Sequence, residues 1–427
     1  MDYKGNKKSK YLISDKESDN ISTLITDEIF VWGIILAPMT ALRLYKFGPG
    51  EILLIVWMIL VFWGNNPSTI YNSGTLPITI IGKYQIANII MMAIGMFVNL
   101  LVYKGQFETG TIITTFFTHS FMFLISSCIF LYFDERELEA IHSIIRKILF
   151  RGAVIYGILL AYALFINTHL FGISLWLGNQ GYRFLGLALN PHQISMITGV
   201  GVFFSLYMSS TEKKVNMKLL YLILCFLWYV ISLSLRSDTL TLTYIGILFI
   251  TIFLKLLKGT KNIDVRRKNI FVITGITLVC ILIFFPLLWR KLYGFVSEAG
   301  NGLGRLDLWA SGMGQFIEKP ICLITGLGPG GNTGQFMSVS GNEIEAHNTY
   351  IQQILNSGVF IFLYYIFMIY EILKKPLEKS TYLVVTVMYF VLYGFGGNMN
   401  RRVLMWFTYT IVMVLFEKTN NTEISTK

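Results

Sequence analysis

The chain has 427 residues, of which 54% are hydrophobic and only 14% charged, and its mean hydropathy is +0.60. Soluble domains carry about twice that share of charge, so a water-soluble globular protein is excluded and a polytopic membrane protein is expected. The net charge of +11 would suit nucleic acid, but the positive residues lie in short stretches between apolar runs. That is the topology signature of membrane proteins, and no nucleic-acid partner is expected.

Residues 1–27 read as a basic, polar cytoplasmic tail (Lys4, Lys7, Lys8, Lys10, Lys16) with no cleavable signal peptide. Twelve apolar spans follow, at about 28–44, 49–64, 85–103, 111–133, 148–169, 191–209, 218–235, 238–257, 270–289, 346–373, 380–397 and 401–416. Most have the length needed to cross the ~30 Å hydrocarbon core of a bilayer. The expected fold is therefore all-α. Nine helices lie in 28–289, an extracytoplasmic loop in 290–345, three helices in 346–416, and a short cytoplasmic tail in 417–427. Placing the N-terminus inside gathers Arg136, Arg146, Lys147, Lys213, Lys214, Lys374 and the 258–269 loop (KGTKNIDVRRKN) on the cytoplasmic side, as the positive-inside bias requires. Both termini are then cytoplasmic. The cysteines Cys128, Cys225, Cys280 and Cys322 have no paired spacing and read as small buried hydrophobes rather than disulfide or metal ligands.

This topology brings three connections to the far side: 170–190, the tight turn at Leu235–Asp238, and the long 290–345 loop. Each carries an arginine. Arg183 precedes Pro191, which suits the first turn of a helix, and a helix N-terminus beside an arginine favours phosphate. Snorkelling to lipid headgroups is the plainer reading. Arg236 either pairs with Asp238 or faces a ligand, since a charge at membrane depth is usually paired or functional. Arg305 follows flexible glycines and could grip a diphosphate in bidentate fashion, or be neutralised by Asp307 or Glu298. The same loop carries an amphipathic helical patch (Leu306, Trp309, Met313, Phe316) expected to pack on the membrane face. His347, at the start of the next span, could take a proton from a hydroxyl with Glu345 orienting it, or serve only as a polar cap. Among the other histidines His192 is the one rival. The glycines of GLGPGGNTG (326–334) lack the Lys and Ser/Thr of a P-loop and read as turns that allow close backbone approach. No acidic or His-rich metal cluster is apparent, so a metal-independent site without cofactor is expected.

Three passages together resemble the O-antigen ligase/polymerase superfamily of bacterial membrane glycosyltransferases. YRFLGLALNPHQIS looks like its arginine–glycine–asparagine segment before a membrane helix. GRLDLWASGMGQFIEKPICLITGLGPG is similar to its Arg…Trp…Pro…Gly-x-Gly loop, and AHNTYIQQILNSGVF to its His-Asn followed by a helix with a trailing glycine. SLRSDTL is looser: Leu235 stands where serine would be expected, and His192 stands where that family often has asparagine. The resemblance implies a bacterial inner or plasma membrane enzyme that transfers glycan from a polyprenyl diphosphate carrier to an acceptor sugar hydroxyl on the outer face, by inverting displacement. It implies His347 and Glu345 as the catalytic pair and Arg183, Arg305 and Arg236 as the diphosphate-binding groups. The expected partners are the lipid-linked oligosaccharide, the growing glycan, membrane lipid, and a chain-length regulator or flippase. Polymerisation of O-antigen or capsule repeat units is the favoured activity, ligation to a terminal acceptor the alternative. A flippase or transporter is the reading from another class.

Overall fold

The structure, a computed structural model, describes residues 23–43, 47–64, 79–105, 107, 109–177, 183–258, 305–331, 346–374, 376 and 380–425. In chain order the helices are α1 (23–36), α2 (Pro49–Gly64), α3 (Ile80–Tyr103), α4 (Thr109–Asp134), α5 (Leu138–Phe165), α6 (Pro191–Thr211), α7 (Val215–Ser234), α8 (Asp238–Lys258), α9 (Arg305–Glu318), α10 (Cys322–Thr325), α11 (Thr349–Lys374), α12 (Thr381–Tyr393) and α13 (Val403–Ser425). Seven of these described helices, α3 to α8 and α11, are long and apolar enough to cross a membrane, and the protein is membrane-embedded and helical. The expected span at 270–289 lies outside the described residues.

Where the helices differ from the expected spans, local chemistry explains it. The first helix stops at residue 36 instead of running to 44, because Pro38 disfavours helical backbone at the residue before it and has no N–H to donate. A 3-10 turn, Thr40–Leu42, follows. Residues 417–425, expected as tail, continue α13. The 170–190 connection contains short antiparallel ladders: β1 (His169–Leu170) with β2 (Ile173–Ser174), and β3 (Trp176–Leu177) with β4 (Arg183–Phe184). Phe171 and Gly172 between β1 and β2 both have positive φ, 52° and 77°, the requirement of a tight two-residue hairpin turn.

The bundle core is closed by aromatic rings seated on glycines of α6. A Cβ at Gly199 would lie 2.2 Å from the Tyr389 ring of α12, and one at Gly201 2.3 Å from the Trp228 ring of α7. Neither ring has an easy way to yield. Tyr389 Oη donates to the Ser195 carbonyl at 2.7 Å, and Trp228 Nε1 to the Leu149 carbonyl at 3.1 Å. Gly199→Ala is therefore expected to destabilise the bundle by about 1–3 kcal/mol, the usual cost of forcing a methyl group into a filled core, read as a lower midpoint of thermal aggregation in detergent.

Two ends of the bundle differ in character. At one end ion pairs hold the helices: Asp27 to Arg136 at 2.7 Å, and Glu28 to Lys147 at 2.9 Å and to Arg151. The Glu212 carboxylate in the α6–α7 turn accepts the N–H groups of Lys213 and Lys214, which hold it below the usual carboxylate range. The other end is built from loops, β1–β4, α9, α10 and the 394–402 turn, and all four described candidate residues lie there.

Helices α3, α4 and α11 and the 394–402 turn share a buried polar network. Asn88 Oδ1 accepts from Gln353 Nε2 and Ser357 Oγ, both at 2.6 Å, and its Nδ2 lies 3.2 Å from His119 Nδ1. Gln353 Oε1 accepts from Tyr84 Oη at 2.8 Å and Asn400 Nδ2 at 2.6 Å. Buried polar groups need such partners, because hydrocarbon offers none.

The glycine-rich segment wedges against this network. Gly358 interrupts α11 with φ 82°, which frees the Leu355 carbonyl to accept the Leu327 N–H at 2.7 Å. Asn99 Nδ2 of α3 donates to the Leu327 carbonyl at 3.0 Å. The expected close backbone approach is present: a Cβ on Gly326 would sit 2.5 Å from the Asn356 backbone, and one on Gly328 2.6 Å from that of Met96. Among the described residues Cys128, Cys225 and Cys322 are free thiols. Burial pushes the Cys322 thiol up, away from nucleophilic use.

Candidate functional site

The site is assembled from the starts of two helices and two turns. Helix α6 begins where expected: Asn190 Oδ1 accepts the His192 N–H at 2.9 Å, with Pro191 in the first turn. Such a cap contributes about 1 kcal/mol and fixes where His192 emerges. Its Nδ1 meets the phenol oxygen of Tyr393, a buried residue at the end of α12. Helix α11 is capped by Asn348, whose Oδ1 accepts the N–H groups of Tyr350 at 2.9 Å and Ile351 at 3.1 Å. The Asn348 amide in turn donates to the Phe395 carbonyl at 3.3 Å.

His347 is held just ahead of that cap. Its φ of 49° is left-handed, a conformation uncommon outside glycine but tolerated by histidine. The residue before it is anchored twice. Ala346 donates its N–H to Gln352 Oε1 at 2.9 Å, and its carbonyl accepts Trp309 Nε1 at 2.9 Å. A strained backbone pinned from both sides is a common way to aim a functional side chain. His347 itself is half-buried.

The arginines reach the site from three elements. Arg305 opens α9, is 6% exposed, and donates from Nη1 to Thr239 Oγ1 of α8 at 3.2 Å. Arg183, on β4, donates from Nε to the Leu235 carbonyl at 3.1 Å. The fields of Arg305, Arg183, His347 and Arg402 all bear on His192, and those of Arg183 and Arg305 on Tyr393. Three guanidinium groups and the His347 imidazole thus lie within electrostatic reach of His192, which marks one neighbourhood. It is suited to hold a polyanion while an imidazole accepts a proton.

Arg183, Arg305 and His347 are therefore brought together. Arg236 is exposed on the α8 side of the Leu235 turn, with φ 45°, next in the chain to the residue whose carbonyl Arg183 holds. Glu345 lies outside the described residues. The amphipathic face of α9 is Leu308, Gly312 and Phe316 with Trp309 and Met313 against them, whereas Leu306 is 53% exposed. Leu308 stands about 100° around the helix from Trp309, so the buried stripe is rotated away from Leu306.

Arg402 and Tyr393 escaped the reading from sequence. The available signal was the pair Arg401-Arg402 ahead of the last apolar run, but an arginine at a span end is also an ordinary interfacial anchor. Tyr393 gives no local signal at all, because its partner His192 is 201 residues away. Compared with known protein families and with curated proteins, the chain matches none.

Proposed function

We propose that this protein is a glycosyltransferase of the outer membrane face that polymerises lipid-linked repeat units, drawing glycan from a polyprenyl diphosphate carrier. The observation that carries the reading is that the charges of Arg305, Arg183, His347 and Arg402 all act on His192. In such a transfer the leaving group is a lipid diphosphate, and fixed guanidinium groups offset the charge that grows on it. The acceptor hydroxyl is a weak nucleophile until a base removes its proton, and general-base help contributes about 10²–10⁴-fold. His347 is assigned that base. Direct displacement at the anomeric carbon then inverts the linkage, with no covalent enzyme intermediate.

Orientation follows from the two ends of the bundle. Arg136, Lys147 and Arg151 gather at the ion-paired end, which supports placing that end in the cytoplasm of a bacterial cell. The cluster then faces outward, where a carrier lipid presents its glycan. A transporter would need open polar groups at mid-depth. Here Asn88, Gln353, Tyr84 and Ser357 are engaged with one another, which favours the enzyme.

The test is to incubate the purified chain with a lipid diphosphate-linked repeat unit and resolve the products. A ladder supports polymerisation, one addition to a distinct acceptor identifies a ligase, and an absence of transfer refutes both. In the same assay His347→Ala is expected to lower elongation by about 10²–10⁴-fold at normal membrane level. Unchanged chain length would remove His347 from the base role.

A further inference from the structure

The transfer scheme gives His192 no task, yet its side chain is among the most firmly placed at this end of the bundle. Tyr393 is fully buried, and its phenol oxygen meets Nδ1 of the half-buried His192. The two rings cross at 69° with their centroids 5.8 Å apart. The His192 N–H is held by the Asn190 cap. Backbone, ring plane and one ring nitrogen are thus all set by neighbours.

The second ring nitrogen is not. Nε2 makes no hydrogen bond among the described residues, and it sits on the ring edge away from the phenol. The charges of Arg305, Arg183, His347 and Arg402 act on the same side chain. A neutral N–H beside guanidinium groups adds a donor for an anion without adding a charge that repels them. Whether Nε2 carries the proton is decided by what Nδ1 meets. A phenol is the stronger acid and an imidazole nitrogen the stronger base, so the proton between the two rings belongs to Tyr393. The Ser195 and Ser237 hydroxyls also bear on that phenol, but Ser195 already donates to the Pro191 carbonyl at 3.1 Å. Nδ1 then accepts, and Nε2 holds the ring proton.

We infer that His192 is a second imidazole in contact with substrate, its Nε2–H donating to a phosphate oxygen, and that Tyr393 is the positioning residue that keeps the proton on that nitrogen. The ligand in this assignment rests on the glycosyltransferase reading. His347 keeps its separate task of accepting a proton from the acceptor hydroxyl. A histidine that only filled this corner would be matched by asparagine, whose amide reaches the position of Nδ1 and stops there. Glutamine does the reverse. Its amide nitrogen reaches the position of Nε2 and donates, but it cannot take up a proton.

The test uses the full chain in nanodiscs of neutral phospholipid, with farnesyl diphosphate and inorganic diphosphate titrated by calorimetry and glycan transfer followed in parallel. His192→Asn is expected to weaken farnesyl diphosphate about 10- to 100-fold, the loss of one hydrogen bond to a charged group. His192→Gln should bind and transfer near the wild-type level. Tyr393→Phe should cost about tenfold alone and nothing further in His192→Gln, which no longer depends on the phenol. Nitrogen NMR of the labelled wild type should show the His192 ring protonated on Nε2 and bare on Nδ1. Inorganic diphosphate should bind more weakly, with the same ratio between variants. Wild-type binding by His192→Asn, a His192→Gln loss as large as that of His192→Asn, a Tyr393→Phe loss undiminished in His192→Gln, or the opposite tautomer would each overturn the assignment. Inorganic diphosphate bound as tightly as the lipid form, in a chain that never transfers glycan, would refute the glycosyltransferase reading and leave the donor. Glycan elongation by a chain in which His192→Asn is silent would refute the donor and leave the reading.

Discussion

Arg305→Lys is expected to lower glycan transfer by about 10²–10³-fold, the range seen when one preorganised electrostatic donor is lost, with the protein still inserted at normal level. The charge is conserved in this substitution, so the outcome separates geometry from net charge. Arg305 is 6% exposed and donates from Nη1 to Thr239 Oγ1, a contact that fixes the plane of the guanidinium. A lysine offers one strongly hydrated ammonium on a flexible stem and cannot present two parallel donors to a phosphate. Thr239→Val, which removes the acceptor and keeps the shape, should give a milder loss of the same kind, about tenfold for one hydrogen bond. Near-wild-type turnover of Arg305→Lys in the product-ladder assay would reduce Arg305 to a generic cation.

The second large effect is structural. Gly358→Ala is expected to abolish function and to sharply lower the amount of folded protein recovered by size exclusion. The new methyl group would lie 1.9 Å from the Ile324 carbonyl oxygen and 2.8 Å from the Gly326 nitrogen, at a backbone φ of +82°. Both neighbours are backbone, so neither can swing aside. Strained φ alone costs about 1–3 kcal/mol, and the steric clash comes on top of it. A substitution in a surface-facing glycine without such neighbours, such as Gly157, which would meet nothing within 4 Å, is the matched control and should be near neutral. Normal yield of Gly358→Ala would show that the 326–331 segment is not seated on the α11 kink.

Much of the helical organisation is legible in the amino-acid order because hydrocarbon imposes it: apolar runs of fixed length bounded by charge. Pro191 as the start of α6 is legible for the same reason that it works, a fixed φ that the first helical turn requires and a missing N–H that it does not need. Arg183, Arg305 and His347 stand out because ionisable residues beside glycine and aromatic residues at the ends of spans are few. What is not legible is set by contacts between distant parts. The Tyr393 partner of His192 and the Thr239 partner of Arg305 each join segments far apart in the chain. The left-handed backbone at His347 is also invisible beforehand, since it is imposed by the Ala346 anchors on Trp309 and Gln352. The β-turn at Phe171–Gly172 lacks the Asn-Gly or Asp-Gly signature that marks most such hairpins.

The first half of α11 has a consequence for biogenesis. Gln352, Gln353, Asn356 and Ser357 are buried on a segment that must sit within or beside the hydrocarbon, where amides without partners are unfavourable by several kcal/mol. Gln352 and Asn356 bond each other. Gln353 and Ser357 find Asn88 and Tyr84 earlier in the chain, and the backbone seat at Ile324–Gly326 is also made first. A ribosome delivers those partners to the membrane before the segment that needs them, so this late, polar helix enters a berth already waiting for it.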